Sequence, residues 1–117
     1  MKLFSYSSCS TCHRAINWLK SNNINFELLD ILKNPPSKEM LILAGKAYGD
    51  RKYLLNTSGI IYRSIGAKVV KKMTDKDFFE NLSKEPRLIK RPFLYVSDNS
   101  FLVGFKEEKW TEKLILN

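Results

Sequence analysis

Cysteine, histidine, proline and glycine are all scarce in this chain, at two, one, four and five residues among 117. So little Gly and Pro excludes collagen-like and low-complexity classes, and a hydrophobic fraction of 44% excludes a disordered one. Long apolar runs are missing as well. Stretches such as 41–43 and 59–62 fall far short of the ~20 residues of a membrane-spanning helix. Polar residues follow at once in Met1-Lys2-Leu3-Phe4-Ser5, so neither a signal peptide nor a membrane anchor is expected, and the expected compartment is the cytoplasm.

Positive charge is abundant. Lys and Arg number 20 against 12 Asp and Glu, a formal +8. Residues 1–58 hold 8 basic and 4 acidic residues and residues 59–117 hold 12 and 8, so each half is +4 and there is no basic arm or tail. Lys68, Lys71 and Lys72 form the densest cluster. A solvated face is the simplest reading. No recognition-helix, single-strand-binding or zinc-finger pattern accompanies the charge, so direct nucleic-acid binding is not expected.

Both cysteines fall in Cys9-Ser10-Thr11-Cys12-His13. Two thiols in a reducing compartment do not make a structural disulfide framework; C-x-x-C spacing suits a reversible ring, a metal site or a haem attachment. The five residues match the c-type haem pattern literally, but covalent haem attachment needs an exported route of which the sequence gives no sign. Zinc would need a fourth ligand beyond Cys9, Cys12 and His13, and no second C-x-x-C supplies one, so no metal site is expected. His13 reads as a helix-surface residue.

The local pattern favours the redox reading. Residues 3–6 read as a short strand, and Cys12, Ala15, Ile16 and Leu19 follow at helical spacing. Ser10 or Thr11 is the expected cap of that helix, Asn22-Asn23 its close, and residues 25–30 a second strand. Cys9 therefore stands at a strand-to-helix junction, beside free backbone N–H groups and the positive end of the helix dipole, and both favour a thiolate. Arg14, one turn in, adds to the effect. Cys12 points along the apolar stripe. Cys9 is thus the candidate attacking thiol and Cys12 the resolving one.

Beyond Asn34-Pro35-Pro36, Ser37 is a helix cap and a helix over 37–48 ends at Gly49. Residues 54–59 form a polar turn, 60–65 are helical, and Thr74 starts another helix with Phe78, Phe79 and Leu82 inward. Pro86 ends this block. Residues 93–96 and 101–103 read as antiparallel strands around a turn at 97–100, and a last helix covers 106–114. The expected architecture is α/β: βαβ, a helical block, then ββα, which is the thioredoxin-like plan with a mixed four-stranded sheet. It reads as one domain over residues 1–117, with a core of about 1–32 and 86–117 and a mostly helical insertion of about 33–85. Pro92 opens a strand opposite the thiol turn and is a candidate cis peptide. Arg91 before it is then expected near the thiolate, where it can bind an anion.

Four segments together resemble the arsenate reductase (ArsC)/Spx family of thioredoxin-like proteins: Cys9-Ser10-Thr11-Cys12 with Asn17-Trp18-Leu19; residues 54–59 with Tyr62 and Gly66; Pro86-Arg87-Leu88-Ile89-Lys90-Arg91-Pro92; and Val103-Gly104-Phe105. The likeness covers about residues 2–114. It implies that Cys9 is the reactive cysteine and Arg91 the arginine of the site, with Cys9, Cys12 and Arg91 catalytic and Ser10, Thr11 and Pro92 around the substrate. It also implies an arsenate or disulfide reductase that binds no cofactor and draws electrons from glutathione, glutaredoxin or thioredoxin. In the glutaredoxin-linked reductases a histidine precedes the cysteine, and two further arginines fall near Asn56 and Gly104; this chain has none of the three. Cys12 instead resembles the Spx-type regulators, in which C-x-x-C is a redox switch. That likeness implies the alternative of a redox-switched regulator binding the C-terminal domain of the RNA polymerase alpha subunit.

Overall fold

The computed structural model describes residues 1–116. Strands β1 (Lys2–Ser5), β2 (Glu27–Asp30), β3 (Phe93–Ser97) and β4 (Ser100–Val103) form one sheet in the order β2-β1-β3-β4. β1 and β2 are parallel, from Lys2↔Glu27 to Ser5↔Asp30, whereas β3 is antiparallel to both β1 and β4. Helix α1 (Ser10–Ser21) connects β1 to β2. Helices α2 (Lys38–Tyr48), α3 (Ile60–Ile65), α4 (Ala67–Lys72) and α5 (Asp75–Lys84) lie between β2 and β3, and α6 (Glu107–Leu114) follows β4. This is the thioredoxin-like, mixed-sheet plan.

Alternation along β1, β3 and β4 explains why adjacent apolar residues recur in them. Successive side chains point to opposite faces, and both faces of this sheet are covered. Phe4, Phe93 and Phe101 pack on one side with Ile31, just after β2, and with Leu41, Ala44, Leu54, Phe78 and Leu82 from the helical block. Their neighbours Leu3, Leu94 and Leu102 pack on the other with Ala15 and Leu19 of α1 and Trp110 of α6. Trp110 is fully buried, and its indole Nε1 donates to the Gly104 carbonyl at 3.0 Å. The rings of Trp18 and Phe105 meet it edge-on. That packing fixes α6 beside α1.

Several helix ends follow from the residues expected to make them. The Ser37 hydroxyl accepts the Met40 N–H at 3.1 Å, and Gly49 closes α2 in the left-handed conformation at φ 77°. Thr74 caps α5 through the Asp77 N–H at 3.1 Å. β2 begins two residues later than expected, at Glu27. Asn23 takes φ 57° and the Ile24 N–H bonds back to Leu19, so the chain reaches the sheet only where it meets the start of β1. Helix α4 has no counterpart in the sequence reading. It follows α3 after Gly66, whose φ of 99° permits the sharp break. Arg51 ties the region together: its guanidinium donates to Asp75 at 2.7 Å and to the Met73 carbonyl at 2.6 Å, and lies over the Phe78 ring.

Candidate functional site

The turn between β1 and α1 is closed by the Cys9 N–H donating to the Tyr6 carbonyl at 3.0 Å. Cys9 itself remains extended, at φ −92° and ψ 109°, and Ser10 is already helical. The expected caps, Ser10 and Thr11, are therefore inside the helix, and the cap is Cys9. Its Sγ accepts the Cys12 N–H at 3.2 Å, the place an oxygen usually takes. The sulfur is thus oriented by one of the otherwise unsatisfied N–H groups of the first turn. Cys9 is half-buried and open to solvent on one side.

Cys12, one turn on, is fully buried beside Ala15 and Leu19. Burial above all, and then the neighbouring Cys9 sulfur as a hydrogen-bond partner and as a charge, push its thiol up to about 11. The Tyr6 backbone and the Ser5 side chain pull the other way. Cys12 is consequently a neutral thiol at physiological pH. The two cysteines differ as attacking and resolving thiols must: one reachable, the other buried and protonated.

An open cavity of about 1130 Å³ begins at Cys9. Arg91 lines it and is half-buried, its guanidinium carbon 5.0 Å from the centre of the Tyr6 ring. Arg14, Lys90, Lys106, Lys109 and Lys113 line the same cavity, with Glu112 the acid among its lining residues. None of these six cations belongs to an ion pair among the described residues. Segment 54–56 positions Lys90 and Arg91: the Asn56 N–H donates to Leu88 and the Lys90 N–H to Leu54, both at 2.8 Å, around the Leu55↔Ile89 bridge.

Of the residues singled out in the sequence, Cys9, Thr11, Arg91, Asn56 and Gly104 all line this cavity. Ser10 is exposed and lies outside its lining, Cys12 lies behind Cys9, and Pro92 is buried. The Arg91–Pro92 peptide is cis, and the Pro92 carbonyl accepts the Gly104 N–H at 2.8 Å. Asn56 and Gly104 thus face the site but carry no charge into it. Lys90 takes up the room beside Gly104, where an added Cβ would stand 2.9 Å from Lys90 Cε. Sequence reading missed Lys90, Lys106, Lys109 and Lys113; the four-residue spacing of Lys109 and Lys113 along one side of a helix was the available signal for those two. Among the described residues no group of three or more His, Cys, Asp or Glu side chains is placed to hold a metal ion, and no helix is long and apolar enough to cross a membrane.

The sequence model of the ArsC family matches residues 4–113. The chain is 37% identical to the uncharacterized protein YusI of Bacillus subtilis (strain 168) over 109 residues, 92% of each chain. It is 27% identical to the regulatory protein MgsR of the same organism, across 90% of this chain and 82% of that one. Among solved structures, an ArsC family related protein from Bacteroides fragilis superposes with a TM-score of 0.84 at 33% identity, covering 95% of this chain and 96% of that one. A protein described as a "possible arsenate reductase" from Streptococcus mutans UA159 superposes with a TM-score of 0.83 at 30% identity, covering 92% and 94%.

Proposed function

The chain belongs to the ArsC family, and from that premise we propose that it is a cytoplasmic thiol-dependent reductase in which Cys9 attacks an oxidised substrate, arsenate or a disulfide. The observation that carries this reading is the pairing of a solvent-reachable Cys9 sulfur, held at 3.2 Å from the Cys12 N–H, with a buried neutral Cys12 thiol one turn behind it.

With arsenate, the Cys9 thiolate forms a sulfur–arsenic bond and one arsenate oxygen leaves as water after protonation. A second thiol, from Cys12 or glutathione, then attacks the Cys9 sulfur. The sulfur–arsenic bonding pair passes to arsenic, arsenite leaves, and a disulfide remains; two thiols have lost two electrons and arsenic has gained them. Arg91 offsets the charge on the oxyanion. The Ser10 and Thr11 N–H groups at the open end of α1 and the backbone around Pro92 complete the substrate position. Glutathione, glutaredoxin or thioredoxin would return the disulfide to thiols, and no bound cofactor is required. Removal of Cys9's charge on forming the adduct relieves part of what holds the Cys12 thiol up, so resolution becomes easier once attack has occurred.

The test is arsenate-dependent NADPH consumption by the purified protein with glutathione, glutaredoxin and glutathione reductase. Turnover that Cys9→Ser abolishes supports arsenate as substrate; no turnover by folded, reduced protein removes it. A second reading is favoured by the likeness to MgsR, a regulatory protein. On that reading the same disulfide alters the surface offered to a partner, for which the alpha subunit of RNA polymerase is proposed. Binding to that subunit in one redox state, without turnover, would decide for it.

A further inference from the structure

The positive charge around Cys9 extends well beyond what one small oxyanion needs. Lys90 and Arg91 flank the cavity from the segment before β3, while Lys106 just before α6 and Lys109 and Lys113 within it continue the charge, with Arg14 in the first half of α1. Lys109 and Lys113 are four residues apart in α6 and so share one side of the helix, and Lys106, the extended residue before it, lines the same cavity. At 1.5 Å per residue Lys109 and Lys113 stand about 6 Å apart along the helix axis. Elsewhere Lys38 and Lys84 pair with Glu80, Lys52 with Asp50, Arg51 with Asp75 and Arg87 with Glu85, while others such as Lys68, Lys71 and Lys72 are in no ion pair among the described residues; the groove differs in gathering six cations onto one lining. The cavity cations have no such partners among the described residues.

We infer that this groove docks an acidic polypeptide segment, and that the disulfide Cys9 attacks belongs to a protein with Asp or Glu close to the reacting cysteine. The inference rests on the thiol reading above and names the substrate class for that same site. An extended segment repeats its same-side residues every ~6.7 Å, so acids two positions apart reach Lys109 and Lys113. Phe105 and Trp110, which also line the groove, give it an apolar floor. Nucleic acid offers charge but no sulfur for Cys9 to exchange with, which favours a polypeptide. The step balances without a further reagent. Cys9 thiolate bonds to one partner sulfur, the partner S–S bond breaks, and the other sulfur leaves as a thiolate that takes a proton from water. Cys12, giving up its proton, then bonds to Cys9 and releases the first partner sulfur as a thiol. The partner is reduced to a dithiol and the Cys9–Cys12 pair is oxidised.

Fluorescence anisotropy with the Cys9→Ser protein separates docking from chemistry. The probes are labelled peptides of about eight residues carrying Ser in place of Cys, flanked by Asp and Glu, by Asn and Gln, or by Lys. The acidic peptide is expected to bind at least about tenfold tighter than its neutral counterpart, and to weaken as salt rises. Lys109→Glu with Lys113→Glu should cost about tenfold. Lys68→Glu with Lys72→Glu makes the same change in net charge away from the groove and should cost less than about twofold. Equal binding of acidic and neutral peptides, equal losses from the two pairs, or displacement by an oligothymidylate of equal charge at lower concentration would overturn the groove while leaving the thiol reading in place. Failure of the parent protein to react through Cys9 with uncharged 4,4′-dipyridyl disulfide would instead overturn the thiol reading, and with it the disulfide-bearing partner.

Discussion

Raising the pH of the reduced protein from about 8 to about 11 should strip away a stabilising contribution that resides in Cys12. In the fold this thiol is fully buried and pushed up to about 11, against 9.0 for an ordinary thiol of this kind. Below pH 9 both the folded and the unfolded thiol keep their proton, and pH has no effect through this group. Between 9 and 11 the unfolded thiol ionises while the folded one does not, so the unfolded chain binds fewer protons and stability falls as pH rises. About two pKa units at about 1.4 kcal/mol each give a total loss on the order of 2–3 kcal/mol, complete above pH 11. Tyr48, also raised by burial, loses stability in the same direction. The assay is therefore the difference between parent and Cys12→Ala in urea unfolding under reducing conditions at a series of pH values. The variant carries a pH-independent penalty for the lost packing, and the gap should narrow or reverse by about 2 kcal/mol or more on going from pH 8 to 11. In a Cys9→Ser background the narrowing should be smaller but still present, because burial is the largest cause. A gap that stays constant across this range would refute the reasoning.

Arg91→Ala should lower kcat/KM for an anionic substrate by about a hundredfold or more, while alkylation of Cys9 by an uncharged reagent changes little; steady-state kinetics beside alkylation rates separate the two. Trp110→Phe keeps a ring among Trp18 and Phe105 but loses the bond to the Gly104 carbonyl, and should cost about 1 kcal/mol or more in urea unfolding. Trp110→Ala should cost about 3–5 kcal/mol. Gly104→Ala should cost about 1–2 kcal/mol, because φ is 75° and the new Cβ meets the Lys90 stem. Shortening that stem with Lys90→Ala should recover only the steric part.

Much of the fold was legible because local signals agreed with one another. Ser37 and Gly49 bracket α2, Thr74 starts α5, and the turn at Ser97–Ser100 returns β4 against β3, each from a residue whose chemistry acts at that position. The Cys9 cap was not legible. Cysteine is not an ordinary cap, and only the tight turn from Tyr6 leaves Cys9 as the last extended residue. Helix α4 escaped notice because six residues after a glycine carry too little periodicity to stand out. At the site, Cys9, Cys12 and Arg91 were readable from spacing, chemistry and family likeness. The lysine-lined groove was not, because it exists only once Trp110 has docked α6 beside α1 and the bridge at Leu55 has drawn Lys90 alongside Gly104.

The division of labour between the two thiols is tested most directly by mass spectrometry after adding one equivalent of 4,4′-dipyridyl disulfide to the reduced protein. The parent should lose two protons' mass as a Cys9–Cys12 disulfide forms, with two pyridinethiones released. Cys12→Ser should stop at a stable adduct on Cys9, and Cys9→Ser should react far more slowly. Rapid modification of Cys12 in the Cys9→Ser protein, or an adduct on Cys9 that the parent never resolves, would contradict the account.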